Sequence, residues 1–141
     1  MNNRKQGACG RVDIGGQAVL EGVAFAIRDS LEVARSLGLD IPSTKICGGG
    51  SKSPLWRTIF ANVLGIPLEV LKTEQGPGYG GAMLAMVGCG RYESVQAAAD
   101  ALAEVAGRVE PDPELTARYE ARYQQFRSIY PALRQVFPQL L

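Results

Sequence analysis

Thr44-Lys45-Ile46-Cys47-Gly48-Gly49-Gly50-Ser51-Lys52-Ser53-Pro54-Leu55-Trp56 is a β-rich run that ends in three glycines and restarts as a helix. Ser53 is a favoured N-cap, and Pro54 suits the first helical position, where its missing N–H would have had no partner. Glycines at a strand end carry no Cβ, so a flat or charged ligand can come close to their backbone N–H groups. The helix that follows adds the positive end of its dipole. A strand, a glycine turn and a helix N-terminus in this order build a nucleotide site. A tight βα turn without a ligand is the other reading, although one glycine would serve such a turn.

At 141 residues the chain is large enough for one domain with a buried core, and 46% hydrophobic with 21% charged residues is ordinary globular composition. A net charge of +1, with both signs interspersed, gives no electrostatic case for nucleic acid or an anionic membrane. No apolar run reaches the ~18 residues of a membrane span. Cys9, Cys47 and Cys89 are odd in number and far apart, which fits a reducing, cytoplasmic setting. There is no histidine, so Ser-His-Asp and Cys-His catalysis within one chain are excluded. No catalytic residue and no metal ligand stands out.

Working outward, Leu20, Val23, Ala24, Ile27, Leu31 and Ala34 recur at helical spacing between Ala18 and Leu37. Glu21, Arg28, Glu32 and Arg35 fill the other face, and Gly38 supplies the stop. A strand is predicted over Thr44–Cys47, a helix over Pro54–Leu64 ended by Gly65 and Pro67, and a second strand over Leu68–Leu71. Gly76 to Gly81 reads as a loop feeding a helix from Ala82 to Val87. Ser94 caps a helix to about Ala106, and Asp112-Pro113 opens the last, which Pro131 kinks or restarts. The fold class is α/β, with a parallel strand pair, packing helices and a helix-rich C-terminus. Two strands do not close a comfortable sheet, so the pattern expects part of a larger fold. Residues 1–16 read as a leader or connection, and 17–141 as the domain.

Three motifs compete with the glycine turn. Gly48 to Ser53 fails as a P-loop because Ser51, not glycine, precedes Lys52. Gly76-x-Gly78-x-x-Gly81 follows a strand and precedes a helix, but no further strand is predicted to place an acidic residue on a ribose; a dinucleotide binder stays a minor alternative. Asp13-Ile14-Gly15-Gly16 has the look of a phosphate loop, but a helix begins too soon after it. Trp56 reads as core, with adenine stacking as the alternative. Cys47 and Cys89 read as small buried hydrophobes. The stripe Tyr119, Tyr123, Phe126, Tyr130 reads as packing, Arg118, Arg122 and Arg127 as a solvated face, and Glu21 as a structural hydrogen-bonding group.

With these residues in view, the chain resembles the C-terminal part of the FGGY family of carbohydrate kinases, its xylulose-phosphorylating members most of all. Three segments carry the resemblance in register: Ala18 to Asp29, Gly48 to Arg57 and Glu74 to Ala82. It implies part of a ribonuclease-H-like lobe of the actin, sugar kinase and Hsp70 type. Gly48, Gly49 and Gly50 would lie against the α-phosphate and ribose of ATP or ADP, with Ser51, Lys52 and Ser53 bordering the adenine. Mg2+ would accompany the nucleotide, and the γ-phosphoryl group would pass to a ketose such as xylulose. Ribulose, gluconate and glycerol kinases are the sister alternatives; a non-catalytic nucleotide-binding or interaction module is the alternative from another class. Family members are several times longer, and their sugar-binding N-terminal lobe, phosphate loops and catalytic base have no counterpart here. The chain is therefore expected to be a fragment, inactive alone, whose bare lobe face favours a homo-oligomer.

Overall fold

The computed structural model describes residues 14–72 and 76–139. Helices α1 (Ile14–Ser36), α2 (Pro54–Leu64), α3 (Gly76–Gly88), α4 (Val95–Leu102) and α5 (Pro113–Leu133) accompany strands β1 (Thr44–Ile46), β2 (Leu68–Leu71) and β3 (Val105–Val109). The sheet order is β1-β2-β3. β1 and β2 are parallel, with Thr44 opposite Leu68 and Ile46 opposite Val70, as the crossover through α2 requires.

Local chemistry sets the sharpest boundaries. The Ser53 side chain accepts from the Trp56 N–H with Pro54 at the first helical position, and Gly65 closes α2 at φ 65°. The Asp112 carboxylate accepts from the amides of Glu114 and Leu115 to start α5. Its own N–H donates to buried Asn62 Oδ1 at 2.6 Å, so α2 fixes where α5 begins.

Three expectations are corrected. The helix expected to run to Ala106 ends at Leu102, and Val105–Val109 forms β3, antiparallel to β2. Ala106 followed by Gly107 looks like a helix end with its stop, and the exposed segment carries no period-2 pattern; pairing along β2 decides the conformation. The loop expected over Gly76–Gly81 is the opening of α3, which the chain enters through Gly76 at φ 51°. α5 carries Pro131 inside it and runs on to Leu133, so the helix does not restart there. The leader assigned to residues 1–16 falls mainly outside the described residues, of which 14–16 belong to α1; Asp13 and Cys9 also lie outside them.

The core sits where α1, α2 and α5 meet: Ala24 and Phe25, Ile59 and Val63, Tyr119 and Tyr123, with Leu20, Phe60 and Phe126 packed around them. Phe25 lies edge-on to Tyr119 at 6.1 Å and beside Phe126 at 5.4 Å. The aromatic stripe is thus packing as far as Phe126, while Tyr130 is 63% exposed.

The orientation of α1 departs from the expected one. Val23 and Ile27 face outward, and the polar side chains of Glu21 and Arg28 turn toward α5. α5 presents tyrosines and arginines, so carboxylates make better partners there than aliphatic groups. Tyr119 Oη donates to Glu21 at 3.0 Å and Arg122 pairs with the same carboxylate at 3.2 Å. Tyr123 Oη donates to Asp29 at 2.5 Å, and Arg28 both pairs with Glu120 and lies 4.2 Å over the Tyr123 ring. Glu21 is a structural hydrogen-bonding group, as expected. Burial first, then the bond to a carboxylate, pushes the phenols of Tyr119 and Tyr123 up to about 12. Glu120 is held below the usual carboxylate range by its bonds from Gln124 and Arg28.

Candidate functional site

All six residues singled out at the end of the first strand lie together in one turn. Cys47 is exposed, as is Cys89, which corrects the expectation that both are buried: strand β1 ends one residue earlier and α3 leaves its last turn in solvent. Gly48 turns the chain with φ 85° and ψ −178°, a region essentially reserved for glycine. Gly49–Lys52 then form a single 3-10 turn that leads into Ser53, the N-cap of α2.

The turn is tied down from within. Ser51, 1% exposed, donates from both its N–H (3.0 Å) and its hydroxyl (2.7 Å) to the Gly48 carbonyl. The Ser53 N–H donates to the Gly50 carbonyl at 3.1 Å. Arg57 adds a bond from Nε to the Ser51 carbonyl. Nothing in periodicity singles out Arg57; the signal is its spacing, three residues beyond Pro54 and six beyond Ser51.

The three glycines have three different jobs. A Cβ on Gly50 would meet Trp56 Cζ3 at 2.7 Å, so this glycine lets the indole lie under the turn, where it stacks on Phe60 at 5.7 Å. Trp56 is thus packed against the turn, half-buried, as the core reading expects. Gly48 serves the backbone angle. Gly49 has neither constraint: its φ is ordinary and a Cβ there would meet nothing within 4 Å. Its lack of a side chain serves open space.

Among the described residues the amides of Gly49 and Gly50 have no backbone acceptor. The N-terminus of α2 offers less than the sequence suggests: Pro54 has no N–H, and those of Ser53 and Trp56 are taken. Only that of Leu55 is left in the first turn. Any anion would therefore be held mainly by the glycine amides, which suit the phosphate or ribose oxygens of a nucleotide.

Beside the turn, Arg57 also lines an open groove of about 440 Å³ with Val70, Leu71, Lys72, Ala106 and Gly107. It lies at the carboxyl end of β2, the side on which parallel strands receive ligands. Lys72 donates to Glu104 at 2.8 Å, which raises its pKa and lowers that of Glu104. A larger groove of about 640 Å³ lies between α1 and α5 and includes no residue of the turn. Among the described residues no three potential metal ligands cluster, and no helix is long and apolar enough to cross a membrane. The second glycine motif forms no dinucleotide loop, since Gly76, Gly78 and Gly81 all fall within α3 and the next strand, β3, is antiparallel.

Residues 15–89 match the family model of the FGGY carbohydrate kinases' C-terminal domain. The chain is 32% identical over 125 residues to a xylulose kinase of Staphylococcus epidermidis, covering 89% of this chain and 25% of that one. The crystal structure of a xylulose kinase from Rhodospirillum rubrum superposes with a TM-score of 0.73 at 28% identity, covering 93% of this chain and 27% of that one. A gluconate kinase structure from Lactobacillus acidophilus shares the fold with a TM-score of 0.79 at 21% identity, over 90% of this chain and 26% of that one. The chain spans about a quarter of the length of the curated relatives it matches.

Proposed function

The chain belongs to the FGGY family of carbohydrate kinases, and from that premise we propose that it is the nucleotide-binding part of an ATP-dependent sugar kinase. Its α/β fold is part of the ribonuclease-H-like lobe that such kinases share with actin. The observation that carries the proposal is the glycine turn at the carboxyl end of a parallel strand: among the described residues the Gly49 and Gly50 amides have no backbone acceptor, and a Cβ at Gly49 would meet open space.

Gly48, Gly49 and Gly50 would hold the sugar–phosphate part of ATP or ADP through main-chain N–H groups. Ser51, Lys52 and Ser53 would border the base, and Arg57 and Lys72 raise the positive potential alongside. Mg2+ would arrive with the nucleotide, since the described residues gather no ligand set of their own. ATP supplies the phosphoryl group; this chain's residues supply binding and orientation, on which phosphoryl transfer chiefly depends. The acceptor would be a ketose such as xylulose, positioned by a sugar-binding lobe that precedes this domain in the family. Half of such a cleft cannot align both reactants, so this chain alone turns over no sugar. Exposed thiols at Cys47 and Cys89 suit a reducing, cytoplasmic setting.

Calorimetric titration of the purified chain with MgADP and, separately, with NAD tests the proposal. Saturable MgADP binding with no comparable NAD binding is the expected result. NAD preference, or heat with neither ligand, contradicts it.

A further inference from the structure

We propose that the groove between the last turns of α1 and α5 is where two copies of this chain pair. It is walled by Asp29, Glu32 and Val33 of α1 and by Phe126, Ile129 and Tyr130 of α5, and encloses about 640 Å³. Phe137 joins this lining, its ring 6.1 Å from that of Tyr130. Val33 is 61% exposed, Ile129 50% and Tyr130 63%. Single apolar residues on a surface need no explanation, but several along one concave groove form a patch of the kind that marks an interface. The groove includes no residue of the glycine turn, so a lobe that meets the turn approaches a different part of the surface.

Charge selects a second copy as the occupant. The two walls carry opposite signs: Asp29 and Glu32 on α1, Arg127 on α5 and, one turn past Tyr130, exposed Arg134. A basic partner would be repelled by the arginines and an acidic one by the carboxylates, whereas a second copy brings both signs in the same arrangement. An isologous pair needs that self-complementarity, each contact occurring twice. With the two-fold axis near Tyr130 the two α5 helices run antiparallel and their Ile129–Tyr130 surfaces face each other. Arg134, four residues past Tyr130, then comes alongside the residues four before it on the partner. That is the level of the partner's Asp29, since within one chain Tyr123 and Arg127 both approach this carboxylate. Asp29 has room for a further donor: Tyr123 supplies one short bond and Arg127 stands off at 3.9 Å. The apolar walls supply the affinity and the charges at the rim set the register. This pairing is independent of the nucleotide reading, and it places the homo-oligomer contact away from the outward face of α1.

The test is sedimentation equilibrium of the purified chain over a concentration series, with circular dichroism on each variant to show that it is folded. Wild type is expected to dimerise reversibly. Tyr130→Glu and, separately, Ile129→Lys place a charge in the facing apolar surfaces and should sediment as folded monomers. Arg134→Glu sets two acidic groups together at both ends of the pair and should weaken it by roughly tenfold. Val23→Glu, on the outward face of α1, should dimerise as wild type does. A wild type that stays monomeric overturns the proposal, as does a dimer that survives both Tyr130→Glu and Ile129→Lys. Dissociation by Val23→Glu also overturns it, by moving the contact to the outward face of α1. Unchanged affinity in Arg134→Glu removes the two-fold register, and with it the reason for choosing a second copy.

Discussion

Between β1 and α2 the chain strips side chains from its surface, whereas between α1 and α5 it fills the contact with them. The glycine turn is held by main-chain bonds, the Ser51 hydroxyl and the Arg57 guanidinium, and a Cβ at Gly49 would meet open space. The α1–α5 contact is an aromatic cluster around Phe25 flanked by two tyrosine–carboxylate bonds and their arginines. α2 belongs to both, giving Ile59 and Val63 to the core and its N-cap to the turn. One region is left open at Gly49; the other is closed around Phe25 by aromatic rings. Substitutions should therefore separate stability from binding according to the region they fall in.

The largest effect belongs to the core. Phe25→Ala removes the ring at the centre of three aromatic contacts and should cost about 3–5 kcal/mol in urea denaturation. The fraction still folded should bind MgADP as wild type does. A loss of affinity there would mean that the two regions are coupled through α2.

Gly50→Ala should couple them directly. Its Cβ would lie 2.7 Å from Trp56, an overpacking that costs about 1–3 kcal/mol by thermal or urea melts and disturbs the turn as well. The same change in a Trp56→Leu background should cost less. Equal cost in both backgrounds would show that the indole is not what the glycine makes room for.

A smaller effect separates the regions by pH. Tyr119 and Tyr123 titrate near 10.0 when unfolded and at about 12 in the fold. Between those values the folded chain holds more protons, so the stabilisation is complete below pH 10 and is lost as pH rises toward 12. Replacing both by Phe should flatten the alkaline fall, with about 1 kcal/mol lost at neutral pH for each hydrogen bond. Chemical denaturation at pH 8 and pH 11 measures it; an unchanged alkaline slope would assign the fall to other groups.

Sequence reading succeeded where local chemistry decides. Ser53-Pro54 and Gly65 with Pro67 bound α2 without error, and Leu68–Leu71 is the strand expected. The six residues proposed for the nucleotide do share one turn, because they are contiguous and ordered by their own bonds. The reading failed where a partner decides. β3 is an exposed, glycine-interrupted segment that becomes a strand only by lying along β2. α1 is apolar on two faces, and periodicity could not tell that Glu21 and Arg28 would turn inward, since the reason lies on α5, about a hundred residues away by the order of the elements.

The central claim is that the backbone of the turn, laid bare at Gly49, is a ligand surface. Calorimetric titration of Gly49→Val with MgADP beside wild type, with melting temperatures for both, tests it most directly. A Cβ at Gly49 meets nothing within 4 Å and the backbone there is not in the left-handed region, so folding should change by no more than about 0.5 kcal/mol. The account predicts a nearly unchanged melting temperature with MgADP affinity reduced at least tenfold. Wild-type affinity in Gly49→Val would contradict it and leave the three glycines as requirements of packing alone.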